Sequence, residues 1–435
     1  MVAWKTDDNK SVAVVAGART PQAKAGTALK DTHAVELGRL VIQEALYRAD
    51  CSAEDLDEVI LGNVVMPADS SNPARVAALF AGVPESVPAM TVQRNCASGI
   101  EAMAEAATHI RCGDAKTVMA GGVESMSRVP LLFPEQTNAP MERLAKARSI
   151  GQKLKAAMSL RPRHFAPVPG LLLGLTDPTC NMIMGKTAEK LAHEFGISRE
   201  EQDTYALESH MRACQAVGCD SFKDEMMPVY PGRKHQPVAE DVGPRKDQTM
   251  KALGKLKPIF DRRDGTVTVG NACSITDGAC AALIMDGEHA EAQGHDPLGY
   301  IAAYAYSGLD PTRMGLGPVF AIDELLRKTG HSLDDIGLIE INEAFAAQVL
   351  ACRKAMSSVA FAREHLDRND AVGDIDPEKL NVNGGAIALG HPVGATGARL
   401  VLTLLMEMRR RDVERGIAAL CVGGGQGVAM LLERR

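Results

Sequence analysis

The sequence predicts an α/β fold built from two similar halves, and three observations support this prediction. The 435-residue chain is 46% hydrophobic, with 40 glycines and only 4% aromatic residues, a composition typical of a densely packed α/β enzyme. Short apolar runs of strand length alternate with segments in which apolar residues recur at helical spacing. The order strand, small-residue loop, helix, strand and Gly-Gly turn occurs twice, first around Cys96 and again in residues 381–427.

The first half shows this alternation clearly. A Val-rich strand at residues 11–16 precedes a helix at 34–48, and strands follow at 58–63 and 91–93. In the next helix the apolar residues are spaced by 3, 4 and 3 positions, and a strand at 117–120 comes after it; these helix residues are Ile100, Met103, Ala107 and Ile110.

The alternation is lost between residues 130 and 257, which we expect to form an inserted cap domain. Residues 143–163 carry seven Lys or Arg and no Asp or Glu, and apolar residues recur there at helical spacing, which predicts a basic amphipathic helix. A second helix is predicted within residues 177–203. The basic helix has four open interpretations: a solvated face, a phosphate-binding surface, a partner contact and contact with an anionic membrane.

The second half repeats the order of the first, with strands predicted at 281–285, 338–341 and 417–422 and helices at 319–329 and 395–411. Two βαβ halves stacked with helices between their sheets would accommodate this duplication. The predicted domains are residues 1–129 with 258–292 as the first half, residues 130–257 as the cap, and residues 293–435 as the second half.

Composition and charge exclude several classes of protein. The net charge of −7 argues against a general nucleic-acid binder. The ten cysteines include no C-x-x-C pair, so we expect neither a zinc site nor a disulfide framework, and a reducing compartment is the simpler expectation. The first ten residues are polar, and no apolar window reaches 18 residues. We therefore expect a soluble, cytoplasmic protein.

Cys96 lies where a short buried strand meets the start of a helix, beside small residues that let another molecule approach the backbone. Free peptide N–H groups and the helix dipole stabilise a thiolate at such a position. This context favours a nucleophile. An inert buried cysteine and a redox-sensing thiol are the alternatives.

Three further segments contain candidate functional residues. Asn342-Glu343-Ala344-Phe345 follows directly on an apolar strand, where α/β folds place ligands. Gly390-His391-Pro392 lies in a glycine-rich loop before a helix, and Cys421-Val422-Gly423-Gly424-Gly425 ends the last predicted strand pair. Neither glycine run is followed by the Lys-Ser/Thr pair that phosphate cradling requires, so these are not nucleotide-binding loops.

Together with Cys96-Ala97-Ser98-Gly99, these segments occur in the order and spacing of the thiolases, and the chain resembles that family over essentially its whole length. The resemblance implies the duplicated thiolase fold, in which two βαβ-type halves form a layered αβαβα arrangement with an inserted cap (loop) domain. It also implies an acyltransferase. Such an enzyme cleaves 3-ketoacyl-CoA to acetyl-CoA and a shortened acyl-CoA, or runs the reverse Claisen condensation, through an acyl-enzyme on Cys96.

The resemblance assigns a role to each motif. His391 would take the proton of Cys96, and an imidazole titrates near neutral pH. Cys421 would exchange a proton with the acetyl-CoA enolate. One oxyanion hole would consist of His391 and a water held by Asn342, and the second of the backbone N–H groups of Cys96 and Gly423.

CoA is expected as a substrate, and neither a cofactor nor a metal is expected. By resemblance, CoA would lie under the cap against four residues at family contact positions: Met184, Val269, Ala272 and Phe345. Cys273 stands where relatives often carry Ser near the pantetheine.

The sequence leaves the type of thiolase open. The insertion around Lys146 to Leu154 looks like the β subunits of fatty-acid-oxidation trifunctional complexes and favours longer acyl chains, whereas the Asn342 and Cys421 motifs have the pattern of acetyl-CoA acetyltransferases. The main prediction is degradative cleavage of 3-ketoacyl-CoA. The alternatives are biosynthesis of acetoacetyl-CoA, a ketoacyl synthase, for which a second His motif near Asn342 is missing, and a noncatalytic scaffold or lipid-binding subunit.

Family resemblance also predicts partners. We expect a homodimer or homotetramer, and a heteromer with a hydratase/dehydrogenase α subunit is a further possibility. Residues 143–163 are the candidate for peripheral membrane contact.

Overall fold

A computed structural model describes residues 10–232 and 236–435 of the chain. Residues 1–9 of the polar N-terminal segment lie outside the described residues. Within the described ranges, no helix combines the length and the apolar character that crossing a membrane requires.

Fourteen strands are assigned within the described part of the chain: β1 (Val12–Arg19), β2 (Ala23–Lys24), β3 (Glu58–Gly62), β4 (Ala89–Val92), β5 (Thr117–Glu124), β6 (Leu131–Leu132), β7 (Val168–Pro169), β8 (Thr176–Asp177), β9 (Met182–Ile183), β10 (Thr276–Asp286), β11 (Gly299–Gly308), β12 (Leu338–Ile341), β13 (Arg415–Val422) and β14 (Gln426–Glu433).

Fifteen α-helices are assigned over the same residues: α1 (Ala34–Ala49), α2 (Pro73–Ala81), α3 (Ser98–Cys112), α4 (Asn138–Lys146), α5 (Ile150–Met158), α6 (Gly170–Gly174), α7 (Met184–Glu194), α8 (Arg199–Gly218), α9 (Met250–Leu253), α10 (Gly287–Ala292), α11 (Gly317–Thr329), α12 (Ala346–Met356), α13 (Val359–His365), α14 (Ala386–Leu389) and α15 (Val393–Arg411).

Ten of the strands form one hydrogen-bonded sheet. Its order is β12-β13-β14-β11-β1-β10-β5-β3-β4, and β2 pairs with β10. β3 runs parallel to β4 and β5, and β12 runs parallel to β13, whereas the other pairs are antiparallel. The two halves meet at β1 and β11 through two residue pairs, Ala13 with Tyr300 and Val14 with Gly299. The two halves therefore share one continuous sheet. The sequence predicted two stacked sheets without this connection.

The helices form the layers expected of the duplicated fold. α3 and α15 lie in one core cluster with strands of both halves, so they separate the two parts of the sheet. α1 and α2 cover the other face of the first half, and α11 and α12 cover the other face of the second. The predicted α/β class and αβαβα layering are confirmed.

The duplication is visible in the pairing of strands. In the first half, β3 pairs with β5 on one side and with β4, the strand leading to Cys96, on the other. In the second half, β12 pairs with β13 on one side and forms a parallel bridge from Ile339 to Leu380 on the other. The chain leading to His391 therefore repeats the path of the chain leading to Cys96.

The insertion differs from its prediction. Val129–Thr176 forms a compact unit of its own, and the described residues before and after it form the main unit. The predicted cap of residues 130–257 is therefore divided, because α7 and α8 belong to the main unit. Ala188 and Leu191 of α7 join the core cluster of α11 and α12. The boundaries predicted for the two halves stay a prediction.

The single basic helix predicted at residues 143–163 is wrong. Ala147 adopts an extended conformation that ends α4, and Ser149 starts α5 by exchanging capping hydrogen bonds with Gln152. The helix predicted at residues 177–203 is likewise divided, because Ser198 and Glu201 form a capping box that starts α8.

Candidate active site

Cys96 lies in a tight turn between β4 and α3. Asn95 adopts a left-handed conformation with φ of +45°, which asparagine tolerates better than most residues. Its amide Nδ2 donates a hydrogen bond of 2.9 Å to the carbonyl oxygen of Gly423. The turn therefore fixes Cys96 directly against the loop that follows β13.

Close packing of α3 on α15 brings the two halves of the site together. A Cβ at Gly99 would lie 2.7 Å from the backbone nitrogen of Ala398 and 2.8 Å from the carbonyl oxygen of Gly394. A Cβ at Gly397 would collide with the backbone of Ile100. Glycine is thus required at both positions for the helices to approach this closely.

The Cys96 sulfur is a thiol at rest, contrary to the expectation of a stabilised thiolate. Burial raises its pKa, whereas the backbone N–H groups of Gly423 and of Cys96 itself lower it and the Glu124 carboxylate raises it further. The loss of solvation outweighs the backbone donors, because few partners replace the water that a thiolate needs. The backbone N–H groups of Gly423 and Cys96 both act on this sulfur, and their role as an oxyanion hole stays a prediction.

His391 is buried, and its hydrogen bonds indicate its tautomer. Its Nδ1 lies 2.6 Å from Thr396 Oγ1, and that hydroxyl donates its only hydrogen to the carbonyl oxygen of Pro392 at 2.9 Å. Thr396 must therefore accept a hydrogen bond from Nδ1–H, which assigns the lone pair to Nε2. Nε2 has no protein partner among the described residues, so it is available as a base.

His391 does not titrate near neutral pH as expected. Burial lowers its pKa to about 4, and the positive charge of Arg399 acts in the same direction. The imidazole is consequently neutral at physiological pH, which is the form that can accept a proton.

Replacing Thr396 with valine should lower kcat/KM for the chemical step by about 10–100-fold, a smaller loss than the ~10⁴-fold that removal of a buried aspartate partner can cause. Without the hydroxyl, Nδ1–H loses its acceptor and the imidazole is free to change tautomer. Thr403→Val is the matched control, because Thr403 is buried on the same helix and donates to Glu225 instead. Equal losses in both variants would contradict the tautomer assignment.

Two further cysteines lie close to Cys96. Burial raises the pKa of Cys421 well above its ordinary value, and the neighbouring sulfur of Cys96 adds to this effect. Burial also raises the pKa of Cys273 to about 12, again with a contribution from Cys96. The structure thus brings Cys421 to Cys96, as predicted, and places Cys273 beside them.

Asn342 follows β12 and completes the set of catalytic candidates. Its backbone N–H donates to Ala419 at 2.9 Å, whereas Oδ1 and Nδ2 of its buried side chain have no partner among the described residues. Leaving such atoms unpaired costs about 1–3 kcal/mol each. Both amide atoms are therefore available to bind a water or a substrate oxygen.

Glu343, which follows Asn342 in the predicted motif, anchors the two segments that carry Asn342 and His391, a role that the motif alone does not indicate. The carboxylate accepts hydrogen bonds from Tyr205 Oη at 2.9 Å and Ser209 Oγ at 2.7 Å. It also accepts from Asn381 Nδ2 and from the backbone N–H of Ile387, both at 3.1 Å. The end of β12, α8 and the loop before His391 are thereby joined at one buried group.

Two protein-family models match this chain: "Thiolase, N-terminal domain" over residues 12–288 and "Thiolase, C-terminal domain" over residues 295–434. The chain belongs to the thiolase family. An acetyl-CoA acetyltransferase of Pseudomonas aeruginosa is 43% identical over 98% of this chain and 100% of its own length. A 3-ketoacyl-CoA thiolase of Pseudoalteromonas translucida is 40% identical over 99% of this chain and 98% of its own.

Solved structures agree with this family. The acetyl-CoA acetyltransferase of Bacillus anthracis is 40% identical, with a TM-score of 0.85 and 98% of each chain covered. Human mitochondrial 3-ketoacyl-CoA thiolase in complex with CoA is 38% identical, with a TM-score of 0.84 and 98% of each chain covered. The predicted family is confirmed.

In this thiolase, three of the four predicted CoA contacts lie near the catalytic residues. Met184 is half-buried, and its Sδ is 3.5 Å from where a Cβ on Gly423 would lie. Ala272 forms a β-bridge with Phe345, and both are buried. Val269 is 65% exposed and lies in the same loop as Ala272. The CoA roles stay a prediction.

The sequence indicates some neighbours of the catalytic residues of this thiolase and does not indicate others. Thr396 follows His391 by five residues, and Asn95 directly precedes Cys96 as a residue that tolerates left-handed backbone. Arg399 shows no such signal, and the position of Glu343 next to Asn342 does not reveal its partners, which come from distant segments. Within residues 10–232 and 236–435, no cluster of three His, Cys, Asp or Glu side chains could hold a metal. The expectation of a metal-free reaction stays a prediction.

Proposed function

We propose that this thiolase cleaves 3-ketoacyl-CoA with CoA, releasing acetyl-CoA and an acyl-CoA shortened by two carbons. The observation that carries the proposal is that both halves of the fold supply the site. The Cys421 thiol lies near the Cys96 thiol, and the neutral His391 imidazole with its free Nε2 directly precedes α15, the helix that packs closely on the start of α3 after Cys96. The acyltransferase class expected from sequence agrees with the names of the relatives.

The proposed reaction starts with Cys96. Its proton passes to His391 Nε2 as the sulfur attacks the 3-keto carbon, and the resulting oxyanion is stabilised by preorganised donors. Cleavage of the bond between C2 and C3 leaves an acyl group on Cys96 and releases the acetyl-CoA enolate. Cys421 protonates this enolate and becomes a thiolate, which then takes the proton from the thiol of a second CoA. The CoA sulfur takes the acyl group from Cys96, and the departing Cys96 thiolate regains its proton from His391.

The two predicted oxyanion holes would stabilise two different oxygens, that of the carbonyl under attack and that of the enolate. The Gly423 N–H, which approaches the Cys96 sulfur, would bind the oxygen of the carbonyl under attack. The side-chain amide of Asn342 lacks a protein partner in the described structure and would hold a water. This water and His391 would together face the enolate oxygen.

Purified full-length protein with CoA should release acetyl-CoA from 3-ketoacyl-CoA substrates of 4 to about 16 carbons, a range chosen to separate subtypes by pocket depth. Highest kcat/KM on the longer chains would support the degradative assignment. Activity confined to acetoacetyl-CoA would support the alternative, biosynthesis of acetoacetyl-CoA. Absence of acetyl-CoA release from every substrate would contradict both and favour a noncatalytic subunit.

We also propose that the unit Val129–Thr176 contacts an anionic lipid surface. Ile150, Leu154 and Met158 lie on one face of α5 and are 87%, 61% and 71% exposed. Residues 143–163 add seven basic side chains and no acidic one. Exposed apolar residues combined with basic charge are typical of interfacial helices.

Replacing Arg143, Lys146 and Lys153 with glutamine should reduce sedimentation with vesicles containing phosphatidylserine by about tenfold or more, since each basic residue near such a surface contributes ~1 kcal/mol. The control replaces three exposed lysines of the main unit: Lys30, Lys116 and Lys223. Unchanged binding would exclude the lipid contact. An increase in KM for CoA without loss of vesicle binding would assign the patch to the CoA phosphates.

Family membership supports a homodimer or homotetramer. The outer edge of β4 has no strand partner among the described residues, which offers a route for pairing of two copies. A hydratase/dehydrogenase α subunit and a cytoplasmic location remain part of the proposal.

A further inference from the structure

Glu124 is a fully buried carboxylate at the end of β5, in the first half of the fold. Its Oε1 accepts hydrogen bonds from Asn63 Nδ2 at 3.0 Å and from the backbone N–H of Val65 at 3.1 Å. Its Oε2 accepts from the backbone N–H groups of Val64 at 3.1 Å and of Gly394 at 2.9 Å. The first three donors follow β3, whereas Gly394 belongs to α15 in the second half. The carboxylate therefore bonds the two halves directly.

The four donors match an ionised carboxylate. Each carboxylate oxygen can accept two hydrogen bonds, and each oxygen of Glu124 receives two. A proton on either oxygen would face an N–H group instead of an acceptor. Burial raises the pKa of Glu124 to about 7, although all four donors lower it. The ionised form is thus the one that this set of donors binds.

α15 begins at a residue that cannot cap it. The N-cap residue is Pro392, whose side chain has no hydrogen-bonding atom, and the first turn of the helix contains no acidic residue. The first N–H groups of a helix lack partners within the helix, and a negative charge beside them is favourable. Glu124 supplies both the acceptor and the charge, because Gly394 is the second residue of α15.

The capped turn is the one that orients His391. Thr396 lies in this turn, and its hydroxyl accepts the hydrogen bond from His391 Nδ1. The same hydroxyl and the backbone N–H of Thr396 both donate to the carbonyl oxygen of Pro392 at 2.9 Å. The position of the turn therefore sets the position of the imidazole.

The capped turn also packs against the segment that follows Cys96. A Cβ at Gly99 would lie 2.8 Å from the carbonyl oxygen of Gly394, and a Cβ at Gly122 of β5 would collide with the same oxygen. Gly394 is thus confined between α3 and β5, and the last residue of β5 binds its N–H. Movement of this turn would displace the imidazole relative to α3 and the nucleophile that precedes it.

We propose that Glu124 is a positioning residue for the catalytic pair, since it caps α15 from the other half and fixes His391 relative to Cys96. It acts through Gly394 and Thr396, not on the substrate. The sequence separates the cap from the helix by 270 positions, so the cap forms only when the two halves are packed together. This assignment rests on the proposed roles of Cys96 and His391.

Hydrogen exchange of the intact protein, followed by mass spectrometry of peptides from α15, tests the cap without any turnover. Glu124→Gln keeps the size of the side chain but places an NH2 group against two of the four N–H donors. Amide exchange in residues 393–397 should become about tenfold faster or more, the scale of a lost hydrogen bond to a charged group. Exchange in residues 402–408 should stay unchanged. Unchanged exchange at the start of the helix would overturn the proposal, whether or not the proposed reaction takes place.

Glu124→Gln should also lower kcat for 3-ketoacyl-CoA cleavage by about 10–100-fold and leave KM for CoA within about threefold, because a displacement of ~1 Å at a catalytic group can cost that much. Glu225→Gln is the matched control. Glu225 is equally buried, and its Oε1 accepts from Thr403, farther along α15. An equal loss of kcat in the control would overturn the proposal. Faster exchange with unchanged kcat would make Glu124 a purely structural cap and would overturn its positioning role.

A double-mutant cycle with Thr396→Val tests the route. If Glu124 acts through the turn that holds Thr396, Glu124→Gln should lower kcat by less than about threefold when Thr396 is already replaced, because both changes remove the same positioning. Losses that simply multiply would overturn the proposal. Glu124→Asp keeps the charge and withdraws it by one methylene, so it provides the same measurements if the Gln variant does not fold.

Discussion

Replacing Cys96 with alanine should lower the rate of 3-ketoacyl-CoA cleavage by about 10⁴-fold or more, the scale seen when a covalent nucleophile is removed. The acyl group then has no acceptor on the enzyme, and His391 has no thiol to deprotonate. Thiolysis measured as acetyl-CoA release, and acylation measured as the mass increase of the protein, should both be lost. CoA binding should change little, because the variant removes one sulfur atom.

Cys280→Ala is the matched control for this variant. Cys280 is a fully buried thiol, and it lies on β10 in the interior of the sheet. Its replacement should leave turnover within about threefold of wild type, since the cost of a small cavity falls on stability. Full activity in Cys96→Ala, or equal losses in both variants, would contradict the nucleophile assignment.

Local periodicity was sufficient to predict much of the fold. The strands and helices around Cys96 and His391 alternate because each apolar face must meet another layer, and their boundaries agree with β4, α3, β13 and α15 within a few residues. The duplicated order also predicted that the two motifs would occupy equivalent positions. That prediction holds because both segments run beside a parallel strand, β3 in one half and β12 in the other.

Burial determines the protonation of Cys96 and His391, which the sequence does not show. The helix start at Cys96 indicated a thiolate, and an isolated histidine indicated titration near neutral pH. In the folded protein the pKa of Cys96 is raised and that of His391 is lowered. In each case the loss of solvation disfavours the charged form by more than the neighbouring groups stabilise it. That balance depends on residues far apart in sequence, such as Gly423 for the thiol and Arg399 for the imidazole.

The insertion shows a second limit of sequence patterns. Loss of the strand–helix alternation after residue 130 predicts one cap domain. Tyr205 and Ser209 instead bind the Glu343 carboxylate in the main unit, so part of that section supports the catalytic segments. Irregular spacing alone does not distinguish a separate unit from a segment that crosses the core.

Replacing Cys421 with alanine should separate the two proton transfers of the reaction. Cleavage between C2 and C3 needs a proton donor at the enolate, so we expect it to fall by about 10²–10⁴-fold, the usual contribution of a general acid or base. Transfer of an acetyl group from acetyl-CoA to a second thiol passes through Cys96 without an enolate. That exchange, measured with labelled CoA, should fall by less than about tenfold.

Cys352→Ala is the control for the Cys421 variant. Cys352 lies on α12 and is buried near Cys421, but its thiol donates to the carbonyl oxygen of Gly315 at 3.1 Å. It should retain both activities. If Cys421→Ala lost cleavage and exchange to the same extent, the thiol would serve Cys96 rather than the enolate. If it lost neither, another group would have to supply the enolate proton, and Cys273, the third thiol of the site, would be the next residue to replace.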